Sequence, residues 1–256
     1  MNVISQNGIS APAQRKFGDF TVDCLSRSDL VAHCLEDIAN PQSPAKTIMD
    51  VNGHGLSLAR TDRTYREMVQ QADIIHADGG FLVTLSRWFK GPEIPERSAT
   101  TDMLHDFAKR FEETGHSFYL LGATEEVNAD CAAELARLYP RLRIAGRRNG
   151  YFGAEDEAGI IAEINAAKPD VIWVGLGKPR EQEIALRWRD KLDCSWIVTC
   201  GGCFNYVTGE YARAPEWMQR NNIEWVHRLV TNPRKLFWRY AVTTPHALGI
   251  ALTERG

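Results

Sequence analysis

Short apolar runs alternate with longer amphipathic segments from about residue 46 onward. The short runs are rich in β-branched and aromatic residues, which predicts buried strands, whereas the longer segments carry apolar residues at three- and four-residue steps, which predicts helices. Strands that alternate with helices are typical of βα units. The pattern therefore predicts an α/β protein with a Rossmann-like, mainly parallel sheet and helices on both of its faces.

The individual segments define three parts of the chain. The predicted strands are KTIMDVN, DIIHADGG, SFYLLG, RLRIAG, DVIWVGLG and CSWIVTCGG. The predicted helices are GLSLARTDRTYREMVQQA, FLVTLSRWF, TTDMLHDFAKRFEETG, TEEVNADCAAELARLYP, DEAGIIAEINAAKP and EQEIALRWRDKL. Near residue 212 the alternation gives way to a purely helical pattern. We therefore divide the chain into an N-terminal extension with a helix (1–45), an α/β domain (46–211) and a C-terminal appendage (212–256).

Composition and charge place the unusual chemistry in the appendage. The chain has 256 residues, 44% of them hydrophobic and 25% charged, which is ordinary for a globular protein with a sizeable core. A net charge of -3 argues against a nucleic-acid partner. Yet residues 211–240 contain six arginines or lysines and two glutamates, interleaved with Trp217, Trp225 and Trp238. Tryptophans favour the headgroup zone and basic residues are drawn to anionic lipid, so we expect a membrane-binding surface, unless the tryptophans pack inward.

The remaining sequence signals favour a cytoplasmic protein without a resident metal or cofactor. The N-terminus has no apolar run of signal-peptide type, and no stretch reaches the ~20 apolar residues of a membrane-spanning helix. We therefore expect the six cysteines to be reduced thiols. Cys200-Gly-Gly-Cys203 resembles a redox or zinc pair, but no second closely spaced Cys/His pair completes a zinc site, so structural cysteines are favoured. The sequence also lacks an Asp-x-Asp pair for a divalent metal.

Polar and glycine residues cluster where the predicted strands end, and in open α/β sheets ligands bind beyond the carboxyl ends of the strands. Asp78, in Ala77-Asp-Gly-Gly, suits a general base, although it also suits a helix cap. The Gly175-Leu-Gly177 turn suits a phosphate, although a tight turn after a buried strand explains it equally well. Arg97 lies in a loop and suits a clamp for phosphate or carboxylate, although most loop arginines have no such role.

An ordered set of short motifs runs from about residue 46 to about residue 240. The set comprises Asn52, Ala77-Asp78-Gly79, Pro95-Glu96-Arg97, Asp102, Leu121-Gly122, Tyr139-Pro140, Gly150-Tyr151-Phe152, Gly175-Leu176-Gly177, Cys200 to Phe204, Arg213-Ala214-Pro215-Glu216-Trp217, Glu224-Trp225, Arg228-Leu229 and Asn232-Pro233-Arg234. Single pieces are weak signals, but the ordered set resembles the WecG/TagA/CpsF family of bacterial glycosyltransferases, glycosyltransferase family 26.

This resemblance implies an inverting transfer of a sugar from a UDP-sugar to a polyprenyl-diphosphate-linked sugar, by an enzyme bound peripherally to the inner face of the plasma membrane. It implies that Asp78 is the catalytic base and that Asn52 and Arg97 lie in the active site. The substrate-binding residues would be Asp50, Gly79, Gly122, Tyr151, Gly175, Gly177, Gln182 and Gly202. The residues that reach the lipid diphosphate would be Arg213, Arg228, Arg234 and Arg239.

Three positions depart from the family pattern. Asp50 stands where the family usually has threonine, Thr100 stands where it usually has glycine, and the loop ending at Gln182 is one residue longer than the usual Pro-Lys-Gln-Glu. The Pro-x-Glu-Gln form and the Arg239-Tyr240 ending resemble the GumM-like exopolysaccharide branch, which implies a hexosyl donor.

Other functions remain as alternatives. Within the family, the alternative is an N-acetylmannosamine-type transferase. From other classes, the alternatives are a nicotinamide-dependent Rossmann oxidoreductase, which would need a better fingerprint than GLGKPR, and a non-catalytic membrane adaptor. A homo-oligomer is left open.

Overall fold

The computed structural model describes residues 11–221, 223–231 and 249. Its strands are β1 (Gln14–Phe17), β2 (Phe20–Asp23), β3 (Lys46–Val51), β4 (Ile74–Ala77), β5 (Ser117–Gly122), β6 (Arg143–Arg148), β7 (Val171–Gly175) and β8 (Trp196–Thr199). Its helices are α1 (Arg27–Ala39), α2 (Gly53–Thr61), α3 (Arg63–Val69), α4 (Gly80–Trp88), α5 (Thr100–Thr114), α6 (Glu125–Leu138), α7 (Glu157–Ala167), α8 (Arg180–Trp188), α9 (Cys203–Val207), α10 (Glu216–Arg220) and α11 (Glu224–Thr231).

The main sheet of the described chain has six strands in the order β4-β3-β8-β7-β5-β6, with helices around it. The pairs β3–β8, β8–β7, β7–β5 and β5–β6 are parallel. Every residue of β5 and of β7 is buried, as expected for strands of a parallel sheet that is covered on both faces. The predicted Rossmann-like α/β fold is confirmed.

The chain forms two compact units. The first comprises the described parts of Met1–Ser26, Asp50–Ala99 and Arg213–Gly256, and the second comprises Arg27–Met49 and Thr100–Ala212. The core of the second unit contains an aromatic cluster in which the ring of Trp173 lies 5.5 Å from that of Phe107 and 5.6 Å from that of Phe118. The first of these edge-on contacts packs helix α5 against β7, and the second joins β7 to the adjacent strand β5.

The first unit contains an antiparallel hairpin, β1–β2, that the hydrophobic pattern did not predict. Its strands are only four residues long, too short for alternation to stand out. The hairpin is tied to the rest of the unit by Asp23, whose buried carboxylate accepts the Ile75 N–H at 2.9 Å.

The segment predicted as one helix after β3 is two helices, so that prediction was wrong. Asp62 ends α2 and begins α3, and its carboxylate accepts the Tyr65 N–H at 2.9 Å. An aspartate in this position satisfies an orphan backbone donor of the new helix, which favours a restart over continuation. The sequence signal for this break between the two helices was the Thr61-Asp62 pair.

The turns that follow the strands of the second unit pack backbone against backbone. At Gly122, φ is +142° and an added Cβ would lie 2.2 Å from the carbonyl oxygen of Gly175. The next amide, that of Ala123, donates to the same carbonyl at 3.1 Å. Gly122 is therefore required by the fold, whatever else it contacts.

We predict that Gly122→Ala lowers the free energy of unfolding by about 2–4 kcal/mol, because the new methyl group meets backbone and the φ is strained. The matched control is Gly159→Ala in α7, where an added Cβ meets nothing within 4 Å. Because alanine is the better helix former, the control should gain about 0.5–1 kcal/mol. Urea unfolding of both variants measures the difference, and equal stabilities would contradict the packing argument.

Candidate functional site

A single asparagine amide joins two carboxylates at the ends of β3 and β4. Asn52 is the N-cap of α2, and its Oδ1 accepts the Gly55 N–H at 3.0 Å. That bond leaves the other end of the amide, Nδ2, to donate to Asp50 Oδ2 and to Asp78 Oδ2, each at 3.2 Å. The helix cap therefore determines which way the amide faces, and the amide holds both carboxylates.

Asp78 is the more accessible of the two carboxylates. Asp50 is 4% exposed, whereas Asp78 is intermediate in exposure. The backbone N–H of Asp78 donates to Val51 O at 3.0 Å, which places it beside the end of β3. The N-cap of α4 is Gly79, with φ at +94°, so Asp78 does not occupy the capping position. Asp78 therefore lies one residue before the N-cap of α4, with its carboxylate partly accessible.

Arg97 is brought to the same part of the first unit, and it is ion-paired. The Ser98 N–H donates to Ala77 O at 3.1 Å, which joins the Arg97 loop to the residue before Asp78. The Arg97 guanidinium pairs with Glu224 of α11, and the two side chains are 13% and 12% exposed. This is a part-buried charge pair in which the C-terminal segment supplies the carboxylate.

A glutamine extends this pair into α10. Gln219 Oε1 accepts from Arg97 Nη2 at 3.2 Å and from Arg213 Nη2 at 3.0 Å. Its Nε2 donates to Ala214 O at 2.6 Å, which fixes the orientation of its amide. Arg213, predicted to reach a lipid diphosphate, and Arg97, predicted to lie in the active site, thus share one acceptor. No sequence signal pointed to Gln219, and Glu224 was visible only as part of the Glu224-Trp225 motif.

The other residues of the predicted lipid site are less fully described. The side chain of Arg228 and the whole of Arg234 and Arg239 lie outside the described residues, as do the side chain of Trp225 and all of Trp238. Trp217 is 60% exposed, so the inward packing considered for it is not observed. In the described part of the chain, no helix is both long and apolar enough to span a bilayer.

In the second unit, a buried glutamate that sequence analysis did not assign to the site joins two strand-end turns. Glu181, fully buried in the first turn of α8, accepts the Gly177 N–H at 3.0 Å and the Gly201 N–H at 2.9 Å, both at Oε2. Gln182 Nε2 donates to its other oxygen at 3.3 Å. The Gly177 amide, predicted to contact phosphate, is therefore already bound to a carboxylate. The only sequence signal was a glutamate next to the predicted Gln182.

The remaining predicted contacts of the second unit lie in α8, in the loop after β6 and at the start of α9. Gln182 is fully buried, and its Oε1 has no hydrogen-bond partner among the described residues. Tyr151 is exposed, in a loop held by Arg180, whose guanidinium donates to Gly150 O at 3.0 Å and Phe152 O at 2.9 Å. Gly202 is the N-cap of α9.

The surroundings of Cys200 and Cys203 favour a structural role for the pair. Cys200 and Cys203 are buried, free thiols, and Cys203 Sγ contacts the Thr100 carbonyl at 3.7 Å. Burial raises the pKa of the Cys200 thiol well above its ordinary value, which disfavours the reactive thiolate. Over the described residues, no group of three His, Cys, Asp or Glu side chains is placed to hold a metal ion.

Comparison with known proteins identifies the class. The sequence matches the glycosyl transferase WecG/TagA/CpsF family over residues 15–256, and the chain belongs to that family. It is 28% identical over 215 residues to an N-acetylglucosaminyldiphosphoundecaprenol N-acetyl-β-D-mannosaminyltransferase of Bacillus subtilis, covering 84% of this chain and 82% of the relative. It is 29% identical over 214 residues to a protein of the same name from Staphylococcus aureus, covering 84% and 83%. The glycosyltransferase prediction is confirmed, and the oxidoreductase and adaptor alternatives are set aside.

We predict that Glu224→Gln loosens α11, because Arg97 loses its charged partner while keeping its bond to Gln219. A charge-assisted hydrogen bond of this kind contributes about 1–3 kcal/mol. Hydrogen–deuterium exchange of peptides covering α11 should therefore speed up at sites that exchange by local opening.

The matched control for this prediction is Glu67→Gln, which removes the partner of Arg63 in an exposed i,i+4 pair on α3. Because surface pairs contribute little, exchange should be unchanged in this variant. Identical α11 exchange in Glu224→Gln and the wild type would show that the ion pair does not hold the segment.

Proposed function

We propose that this protein is an inverting glycosyltransferase that moves a sugar from a UDP-sugar to a polyprenyl-diphosphate-linked sugar. The observation that carries the proposal is the Asp78 carboxylate, accessible at a strand end and held by Asn52. An inverting transfer needs one base aimed at the acceptor hydroxyl, and an oriented carboxylate at a strand end supplies it. The family membership of the chain independently supports sugar transfer.

In the proposed reaction, Asp78 takes the proton of the acceptor hydroxyl while the oxygen of that hydroxyl attacks the anomeric carbon of the donor. The bond between that carbon and the UDP oxygen breaks, UDP leaves with the bonding electron pair, and the anomeric configuration inverts. General-base assistance of this kind contributes about 10²–10⁴-fold to rate. Asn52 orients the base through the bond at 3.2 Å.

We further propose that arginines neutralise the negative charge of the diphosphate and that no divalent metal is needed. Arg97 and Arg213 donate to one Gln219 oxygen, so two guanidinium groups converge in the first unit. Guanidinium groups match phosphate oxygens in a bidentate geometry, which favours this role. The sequence contains no Asp-x-Asp pair of the kind that binds a metal on a diphosphate.

For the sugar, two candidates follow from different observations. The Pro-x-Glu-Gln form and the Arg239-Tyr240 ending support a hexosyl donor and a role in exopolysaccharide assembly. The names of the curated relatives support an N-acetylmannosaminyl donor with an N-acetylglucosaminyl-diphosphate-lipid acceptor. Of the two candidates, we propose the hexosyl donor. We also propose that the enzyme is bound peripherally at the inner face of the plasma membrane. Discrimination between the two depends on a few contacts to sugar substituents.

The experiment measures UDP release from UDP-glucose, UDP-galactose, UDP-N-acetylglucosamine and UDP-N-acetylmannosamine. Each donor is combined with a short-chain polyprenyl diphosphate that carries glucose or N-acetylglucosamine, and EDTA is present or replaced by magnesium. We expect turnover that requires the acceptor, is unaffected by EDTA and gives a product of inverted anomeric configuration by NMR. The best donor decides between the two sugars.

Two outcomes would contradict the proposal. Loss of turnover in EDTA, with recovery in magnesium, would show that arginines alone do not neutralise the diphosphate. A product with retained configuration would exclude a single displacement with Asp78 as base. Omission of the acceptor is the control for simple hydrolysis of the donor.

A further inference from the structure

Helix α4 ends in an exposed tryptophan between two exposed cations. Trp88 is 72% exposed, although a tryptophan in a monomer usually buries most of its ring. Arg87 and Lys90 are also exposed, and Phe89 is half-buried between them. We call residues 87–90 the Trp88 corner. It lies in the first unit and is separate in sequence from the basic C-terminal appendage.

The Trp88 corner is held from inside by a buried arginine. The guanidinium of Arg15, on β1, donates to the carbonyls of Ser86 at 2.7 Å, Pro92 at 2.9 Å and Phe89 at 3.0 Å. Carbonyls at the end of a helix lack partners within the helix, and a cation there is favourable. The exposure of Trp88 therefore belongs to an anchored turn and does not result from an unravelled helix end.

The Ser86 side chain ties the same corner to the next segment. Its hydroxyl donates to Val83 O at 2.7 Å and accepts the Ile94 N–H at 3.1 Å, and Ile94 is buried. The chain thus leaves the core at Ser86 and returns to it at Ile94, and Trp88 is presented between two fixed points. A side chain presented in this way suits a binding surface.

The chemistry of the corner fits an anionic bilayer better than a protein partner. Tryptophan favours the interface between hydrocarbon and headgroups, and arginine and lysine are attracted to anionic lipid. Protein interfaces, by contrast, are depleted in lysine around their aromatic anchors. We propose that the Trp88 corner is a membrane-contact site for anionic lipid, additional to the C-terminal appendage, which places the first unit against the bilayer.

The test is co-sedimentation of the full chain with vesicles of phosphatidylglycerol and phosphatidylcholine, without sugar substrates. We expect Trp88→Ser to lower the partition coefficient several-fold. Arg87→Ser combined with Lys90→Ser should lower it by about fivefold per charge on anionic vesicles and have no effect on pure phosphatidylcholine. The matched control is Leu138→Ser, an exposed apolar residue of α6, which should bind as the wild type does.

Trp217→Ser measures the contribution of the appendage in the same assay. Loss of binding in Trp217→Ser, with full binding in Trp88→Ser, would overturn the proposal. The proposal would also be overturned if Trp88→Ser bound vesicles as the wild type does but had a smaller sedimentation coefficient. That result would show that the Trp88 corner contacts a second copy of the chain instead of a membrane. Thermal unfolding of each variant checks that the fold is intact. Because the assay needs no turnover, its result is independent of the proposed reaction.

Discussion

The first unit's site depends on which way one amide faces. Asn52 cannot cap α2 through Oδ1 without directing Nδ2 toward Asp50 and Asp78. The need to satisfy an orphan backbone donor at the start of a helix therefore positions a carboxylate at the end of the next strand. Two carboxylates near one neutral amide would repel each other, and the shared donor offsets part of that cost. Asn52 therefore both begins helix α2 and orients the proposed base.

The second unit uses the same device with donor and acceptor exchanged. There one buried carboxylate, that of Glu181, accepts backbone donors from the turns after β7 and β8. A carboxylate with several N–H donors is stabilised in its charged form even when buried. In both units, a polar side chain at the start of a helix joins groups that lie at the ends of two strands.

The sequence was most informative where local pattern alone decides structure. SFYLLG matches β5 residue for residue, because a fully buried strand leaves an unbroken apolar run. The positions of Asn52 and Asp78, each directly after a strand, were predicted for a similar reason, since strand ends are visible in the pattern. Glu181 was not assigned to the site because its role depends on Gly201, twenty residues away. The pairing of Arg97 with Glu224 was likewise hidden, because it joins segments separated by 127 residues.

We propose that Asp78 is the base and that its neighbour Asp50 serves to hold Asn52. The most direct test is single-turnover transfer by Asp78→Asn and Asp50→Asn, each able to keep an acceptor oxygen for the Asn52 amide. Asp78→Asn should lower the rate by at least about 100-fold, and Asp50→Asn by less than about tenfold. A fully active Asp78→Asn enzyme beside an inactive Asp50→Asn enzyme would contradict this assignment and place proton removal on Asp50.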